Sequence, residues 1–472
     1  MKTIKIDPFT RISGIMSITV KVQNNRVVNA EVSGNQFRGF EKMFQGRSPL
    51  DIIRLVPRVC GICSTHHTVA SIEAIENMMN IKPSFNGKLV RDITNGFEFL
   101  QNYLRHIYFF VFPDYVKVTE LDPLIKTTDE KYLDYRLNKK ETDKINADYI
   151  QAIERSGDAH RIIGLLAGKV PHCHGNWIGG TTTKIDIPQI EQCRYNVNNI
   201  KEFVSNSLIP DMEIIANRYS DYYRLGKGHG NLMSFGIFKE YDAPIKYIEP
   251  SVSINGVYEN FDANNITESI KSTWANGEKE VLIPGKNMEF EPNAFKEGAY
   301  SWVNAPRYKK RAMEVGALAR MTLSGNYTGG ISTMDRLLAK VYEARKMCEI
   351  LEGLIDLLEI GEAYQEVWEI PSEGEGFSLI EAERGALGHW ISVKNRKVEN
   401  YNLIPPSTWN MSPTDDNGVK GTVEEALMGT YIQDPSHPVE VGRIVRSFDP
   451  CLNCAAHVVS DRYEPVCIEI IS

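Results

Sequence analysis

Four of the eight cysteines stand in two Cys-x-x-Cys pairs at opposite ends of the chain: Cys60 and Cys63 in RVCGICSTHH, Cys451 and Cys454 in DPCLNCAAHVV. If the four thiols make one site, the fold has to bring the two ends of the chain together. Four thiolates suit soft or borderline metals such as zinc, nickel and low-valent iron. Zinc ribbons separate their pairs by about 15–20 residues, whereas here almost the whole chain lies between Cys63 and Cys451. A zinc clip joining the chain ends stays open on this pattern. A disulfide inside each pair fits less well, because Cys-x-x-Cys disulfides are reactive rather than structural. The neighbours are unlike those of a zinc knob. Arg58 precedes Cys60, Gly61 favours a tight turn between the thiols, and His67 follows Cys63. Asp449-Pro450 stiffens the approach to Cys451, and His457 follows Cys454. Charged and hydrogen-bonding groups beside thiolates tune a metal's electronics and proton affinity.

Composition narrows the rest. A chain of 472 residues buries a sizeable core without disulfides. Its 53 basic and 61 acidic residues give a net charge of −8, the wrong sign for a nucleic-acid groove. The densest apolar run, Ile107 to Phe112, is far short of a membrane span. The start, MKTIKIDPF, has no apolar signal region, so a membrane or exported location is expected to come through a partner.

The pattern predicts an α+β fold with long central helices and small peripheral sheets. Met16, Ile18, Val20 and Val22 alternate, Asn24-Asn25 turns, and Val27 to Val32 returns as a second strand. Apolar residues at helical spacing run from Gly87 to Val111 and from Ile331 to Ile360. Asp242 to Lys296 reads as a β excursion, and Phe377 to Leu403 as strands with a hairpin at Asn395. His172, Cys173 and His174 are read as packing rather than as a metal site. Cys193 and Cys348 are given no role.

Taken with the pairs, further motifs carry a resemblance over nearly the whole chain. They are DPFTRISG (Asp7 to Gly14), FRGFE (Phe37 to Glu41), GKVPH with a following GG (Gly168 to Gly180), YSWVNAPRY with MEVGALAR (Tyr300 to Arg320), RGALGHW (Arg384 to Trp390) and PSTWN (Pro406 to Asn410). The chain resembles the large, catalytic subunit of nickel–iron hydrogenases. The resemblance implies a large-subunit domain over residues 1–457, followed by a maturation peptide, 458–472. Within the domain it places a β segment at 1–35, a helical core at 50–235 and 310–365, a β-rich insertion at 240–300 and a metal-site segment at 377–457.

The resemblance also implies the ligand set. Cys63 and Cys454 bridge nickel and iron, Cys60 and Cys451 bind nickel alone, and the iron carries carbon monoxide and cyanide. Arg384 matches an arginine over the open site, and Ser407 a hydroxyl that donates to cyanide. Glu41, the Leu403 carbonyl and His457 match a magnesium site. His67, Asp449, Arg58 and Glu383 surround the centre. Cys451 is the expected first proton acceptor. Too few cysteines remain for an electron relay, so a separate Fe–S small subunit is expected. A maturation endopeptidase, nickel-delivery proteins and possible membrane attachment through a cytochrome complete the expected partners.

Three residues depart from the family pattern, all where protons would move. Ser13 stands in place of a glutamate, Asn102 of an aspartate and Glu383 of a proline. Two rival readings remain. A non-catalytic relative of the kind built into respiratory complex I lacks the cysteine pairs, which this chain keeps. A zinc-clipped structural protein is the other.

Overall fold

The computed structural model describes residues 1–117, 134–277, 279–286, 290–364 and 368–455. The expected magnesium ligand His457, the expected maturation peptide and Cys467 lie outside the described residues.

The N-terminal alternation folds as expected and gains a strand. β1 (Lys2–Ile6), β2 (Met16–Gln23) and β3 (Arg26–Gly34) form an antiparallel sheet in that order. Asn24 and Asn25, with φ of 52° and 58°, make the left-handed two-residue turn that matches strand twist. The inner face of the sheet, Met16, Ile18, Val20, Val27 and Val32, packs on Val423, Leu427, Ile444 and Leu452. The N-terminal strands and the last described segment therefore share one core.

A second, larger core is helical. It gathers α1 (Phe85–Arg105), α2 (Lys139–Ala167), α3 (Ile187–Phe203), α4 (Ile209–Arg218) and α5 (Thr333–Asp356). The apolar spacing read from Gly87 onward is the buried stripe Leu89, Ile93, Phe97, Leu100 and Leu104; a π-helical stretch, His106–Val111, continues it. The Ile331–Ile360 pattern resolves into α5, which starts at a reciprocal cap between Ser332 and Asp335. Each fully buried aliphatic side chain contributes about 1.5–3 kcal/mol, so these helices hold without cross-links. Cys193 and Cys348 lie in this core, each with its thiol pushed up by burial.

Between these cores lies the part that builds the site. The helix Ser64–Met79 packs on a three-stranded antiparallel sheet of β4 (Glu373–Ala382), β5 (Gly385–Lys394) and β6 (Lys397–Ile404). The β5–β6 turn is Asn395-Arg396, both at positive φ. The β4–β5 turn is Glu383-Arg384, since Ala382 pairs with Gly385. Gly385 has φ +126°, and a Cβ there would lie 2.6 Å from Gly316 N, so only glycine lets the hairpin tip seat against the backbone that leads into the helix Ala317–Leu323. The segment after Asp242 forms short strands, among them Ser251–Ile254, Val257–Asn260 and Ile266–Ser269. The fold is α+β with small sheets, as the pattern predicts. Among the described residues no helix is long and apolar enough to cross a membrane.

Candidate metal centre

The two cysteine pairs meet. Cys60 and Cys63 flank a loop that runs from a short helical turn, Val56–Val59, into the helix Ser64–Met79. Cys451 and Cys454 sit on the last described turn, just after the helix Val439–Ser447. Their Sγ atoms all lie within 4.8 Å of one another: Cys60 to Cys451 is 3.5 Å, Cys63 to Cys454 3.1 Å and Cys451 to Cys454 3.0 Å. All four are buried.

Backbone contacts explain how segments 391 positions apart are held in register. Ser13 N donates to Pro450 O at 3.2 Å, and Leu452 N donates to Ser13 O at 2.7 Å. Gly14, at φ +95°, leaves no room for a side chain: a Cβ would sit 2.6 Å from Asn453 N. Gly61, expected to enable the turn between the thiols, does not need to be glycine by this criterion, since a Cβ there meets nothing within 4 Å. Arg38 acts as a clamp. Its guanidinium donates to Arg58 O, Val59 O and Asn453 O, tying both cysteine loops together.

Arg384, at the tip of the β4–β5 hairpin, is the nearest cation. Nη1 reaches Glu383 Oε1 at 2.5 Å, and Nε lies 3.1 Å from both the carbonyl and Oδ1 of Asp449. With its amide oriented to satisfy both neighbours, Asn102 accepts from Arg384 Nη2 at 2.6 Å and donates to Asp449 Oδ2 at 3.0 Å. Asp449 also accepts from buried Lys340 Nζ at 2.8 Å. After burial, which opposes it, Arg384 is the largest influence holding Asp449 well below the usual carboxylate range. The Cys451 thiol is held down by hydrogen bonds from the Cys454, Cys60 and Cys63 thiols and by the Arg384 charge. Burial pushes the Cys63 and Cys454 thiols up.

Ser407 Oγ accepts from Cys451 N at 2.9 Å. Its oxygen positions the C-terminal pair, and its O–H is left to donate elsewhere. His67 is fully buried and pairs through Nδ1 with His389 Nε2 at 3.1 Å; His389 Nδ1 lies 2.6 Å from Tyr401 OH. Burial lowers His67 to about 4, so it is neutral near pH 7. Arg58 is exposed, and its part in the site comes through its carbonyl on Arg38.

Glu41 and Leu403 are also brought together, with Leu403 N donating to Glu41 Oε1 at 3.2 Å. A second carboxylate, Glu268, stands beside them. Burial pushes Glu268 up to about 8, while burial and then the Glu268 charge raise Glu41 well above its usual range. Glu268 Oε2 is buried without a partner. Two carboxylates and a nearby carbonyl are oxygen donors fit for a hard divalent cation. Nothing in the local sequence marked Glu268.

The thiol set passes the same test of fit. Four mutually close, buried sulfurs with a lowered Cys451 and an adjacent guanidinium are the donors that soft and borderline metals take. His172, Cys173 and His174 do not converge: among the described residues, the only other close group of three or more such side chains is His66, Glu98 and Glu383.

Fold and site together define the class: a chain whose two distant cysteine pairs close a buried four-sulfur centre fit for a soft or borderline metal. The nickel-dependent hydrogenase family model matches residues 38–144, 130–329 and 325–457. The periplasmic [NiFeSe] hydrogenase large subunit of Desulfomicrobium baculatum is 32% identical, over 97% of this chain and 95% of that one. The hydrogenase-2 large chain of Escherichia coli (strain K12) is 28% identical, over 99% of each. The solved structure of the reduced Ni-Fe-Se hydrogenase from D. vulgaris Hildenborough superposes with a TM-score of 0.91 at 32% identity, covering 97% of this chain and 100% of that one. The chain belongs to the nickel-dependent hydrogenase family.

Proposed function

We propose that this chain is the catalytic subunit of a nickel–iron hydrogenase that oxidises dihydrogen and passes the electrons to an Fe–S small subunit. The observation that carries the reading is the convergence of Cys60, Cys63, Cys451 and Cys454 into one buried quartet beside Arg384. Cys63 and Cys454 are suited to be shared between nickel and iron, and Cys60 and Cys451 to bind nickel alone. The iron would carry carbon monoxide and cyanide, and Glu41, the Leu403 carbonyl and His457 would hold magnesium, with Glu268 adjacent.

When bound, the centre supplies heterolytic cleavage of dihydrogen into protons and electrons. The chain's own residues do the rest. Cys451 Sγ takes the first proton, in keeping with its lowered thiol. Arg384, held by Glu383, Asp449 and Asn102, keeps its remaining donors for a small ligand at the centre. The Ser407 O–H is available to a cyanide nitrogen, which needs a donor in a dry site. His67, Asp449 and Arg58 fix the loops and the local field.

Electrons leave through another polypeptide, because Cys173, Cys193 and Cys348 are buried apart from one another and form no second cluster among the described residues. That partner is also the route to a membrane cytochrome or to export. The domain division given by the resemblance, nickel delivery and endopeptidase removal of residues 458–472 belong to the same proposal; the family match ending at residue 457 supports the last. Expression with a small subunit, followed by nickel and iron analysis and infrared spectroscopy, tests the reading. Equal nickel and iron, carbon monoxide and cyanide bands and dye-linked dihydrogen oxidation are expected. Zinc in the quartet, with none of these bands, contradicts it.

A further inference from the structure

Through Glu383, Arg384 joins a cluster whose other members, His66 and Glu98, the site so far does not use. His66 Nδ1 is 2.6 Å from Glu98 Oε2 and 3.2 Å from Glu383 Oε2. Glu383 in turn holds Arg384 through its other oxygen at 2.5 Å. The side chains of His66, Glu98 and Glu383 are 0%, 2% and 0% exposed. One ring nitrogen thus faces two carboxylates, and a single Nδ1 proton serves only one of them at a time. Glu98 has first claim on it: its carboxylate is also fixed by Thr65 N and His66 N, both at 3.1 Å. Glu383 Oε2 is left buried and without a hydrogen bond.

Three alternatives compete for this geometry. A structural ion pair with Arg384 accounts for Glu383 Oε1 but leaves Oε2 buried without a donor of its own, which is destabilising. A metal ion is disfavoured by the 2.6 Å contact, which is a hydrogen-bond length and leaves no gap for a cation between nitrogen and oxygen. A path for protons needs neighbouring groups that exchange one proton over short distances, and this cluster has them.

We propose that Glu383, His66 and Glu98 form a proton relay that starts at the Arg384 side of the metal centre and runs along the helix α1. This rests on the hydrogenase reading above, which supplies the proton. The transfer balances without electrons. The N–H bond at His66 Nδ1 breaks first as an O–H bond forms at Glu98 Oε2. The freed Nδ1 lone pair then takes the proton of Glu383, whose O–H bond breaks as the new N–H bond forms, with Nε2 keeping its own proton throughout. Burial raises the Glu383 carboxyl, whereas Glu98 is lowered: burial opposes this most strongly, but the His66 hydrogen bond and charge and the Thr65 hydrogen bonds together outweigh it. Moving a proton from Glu383 to Glu98 is therefore uphill, and the relay runs outward only as the proton is passed on beyond Glu98.

Beyond Glu98 the same face of α1 offers Gln101 and Arg105, at three and seven residues further along. Gln101 is buried with both amide atoms unpartnered. Arg105 meets His160 Nδ1 at 3.4 Å, and His160 is half-buried on α2 where the two helices meet. Burial and the Arg105 charge lower His160 to about 4, so its ring is neutral near pH 7 and hands a proton on rather than holding it.

Glu383→Gln and His66→Gln in the holoenzyme test this. Both variants are expected to keep nickel, iron and the carbon monoxide and cyanide bands. The kcat for dihydrogen oxidation should fall by about 10²-fold, the low end for a lost proton-transfer group, with a larger solvent isotope effect. The infrared difference spectrum of wild type under dihydrogen should show a protonated-carboxyl band that shifts in D2O and is absent from Glu383→Gln. If Glu383→Gln does not assemble the centre, Glu98→Gln reads the same relay from its far end. Unchanged kcat and isotope effect in both variants overturn the relay. So does a silent His66→Gln beside an impaired Glu383→Gln, since the proton would then leave by the small cavity that Glu383 shares with Lys340 and Arg336. A wild-type spectrum without the band, or a further metal ion lost in His66→Gln, also overturns it. A wild type lacking nickel, iron and activity sinks the hydrogenase reading instead.

Discussion

Arg320 and Arg384 are both almost wholly buried, both lie against the β4–β5 hairpin, and both are wedged between carboxylates. Their donors are used very differently. Arg320 gives Nε and Nη2 to Glu343, Nη1 to Glu381 and the Ala382 carbonyl, and further Nη2 contacts to Tyr103 OH and the Glu383 carbonyl. Its fork is saturated by protein. Arg384 gives Nε to Asp449, one Nη1 contact to Glu383 and one Nη2 contact to Asn102, which leaves donors on both terminal nitrogens uncommitted among the described residues. A buried donor without an acceptor costs about 1–3 kcal/mol, and a fold does not carry that next to four thiols without a use. One arginine builds the scaffold under the hairpin; its neighbour faces the chemistry.

That contrast is open to direct attack. The largest effect is expected at the saturated arginine. Arg320→Met strands Glu343 and Glu381 in the core and should cost about 3–5 kcal/mol of stability, read as a lower urea midpoint of the chain. A change under 1 kcal/mol would erase the distinction. Arg384→Lys comes next and should leave folding and metal content nearly intact. Dihydrogen oxidation should fall by about 10²–10³-fold, the usual cost of a lost preorganised donor, because an ammonium cannot reproduce the planar fork. Activity near wild type would return Arg384 to the scaffold.

A smaller effect sharpens the Arg384 side through pH. His106 lies beside Lys340 and Asp449, and burial lowers it to about 3, against 6.5 for an unperturbed imidazole. The folded state then binds fewer protons than the unfolded chain. Stability is fully present above pH 6.5 and is lost as pH falls toward 3, and His67, lowered to about 4, adds to the same limb. His106→Gln should flatten that limb in urea melts taken between pH 7 and pH 4.5. An unchanged limb would mean that His106 is not buried in its neutral form. The smallest effect is expected at Glu268, because a cation at Glu41 offsets its charge. In chelator-treated protein its raised pKa, about 8, should make stability fall as pH rises from 4.5 to 8, and Glu268→Gln should remove that fall. Equal stability of the two proteins at pH 8 after chelation would remove Glu268 from the site.

The parts legible in the sequence were those with local signatures. The Cys-x-x-Cys pairs, the Asn24-Asn25 turn, the hairpin at Asn395 and the two long apolar repeats each announce themselves within a few residues, and the structure places all of them as read. The groups that hold the site in place are different. Arg38 reaches Asn453 across 415 positions, Tyr103 reaches Glu343 across 240, and His66 reaches Glu98 across 32. Such pairs carry no spacing rule, because tertiary packing rather than helical or strand periodicity brings them together. Glu383 shows the limit most clearly. The sequence marked it as unusual beside Arg384, but its meeting with His66 depends on how the helix Ser64–Met79 lies on the hairpin.

The central claim, that the four thiols hold nickel and iron, is tested most directly by X-ray absorption at the nickel edge on purified holoenzyme. The account predicts nickel in an all-sulfur first coordination sphere, lost on Cys451→Ser together with iron. Nickel bound by nitrogen and oxygen, or zinc in place of nickel, would contradict it.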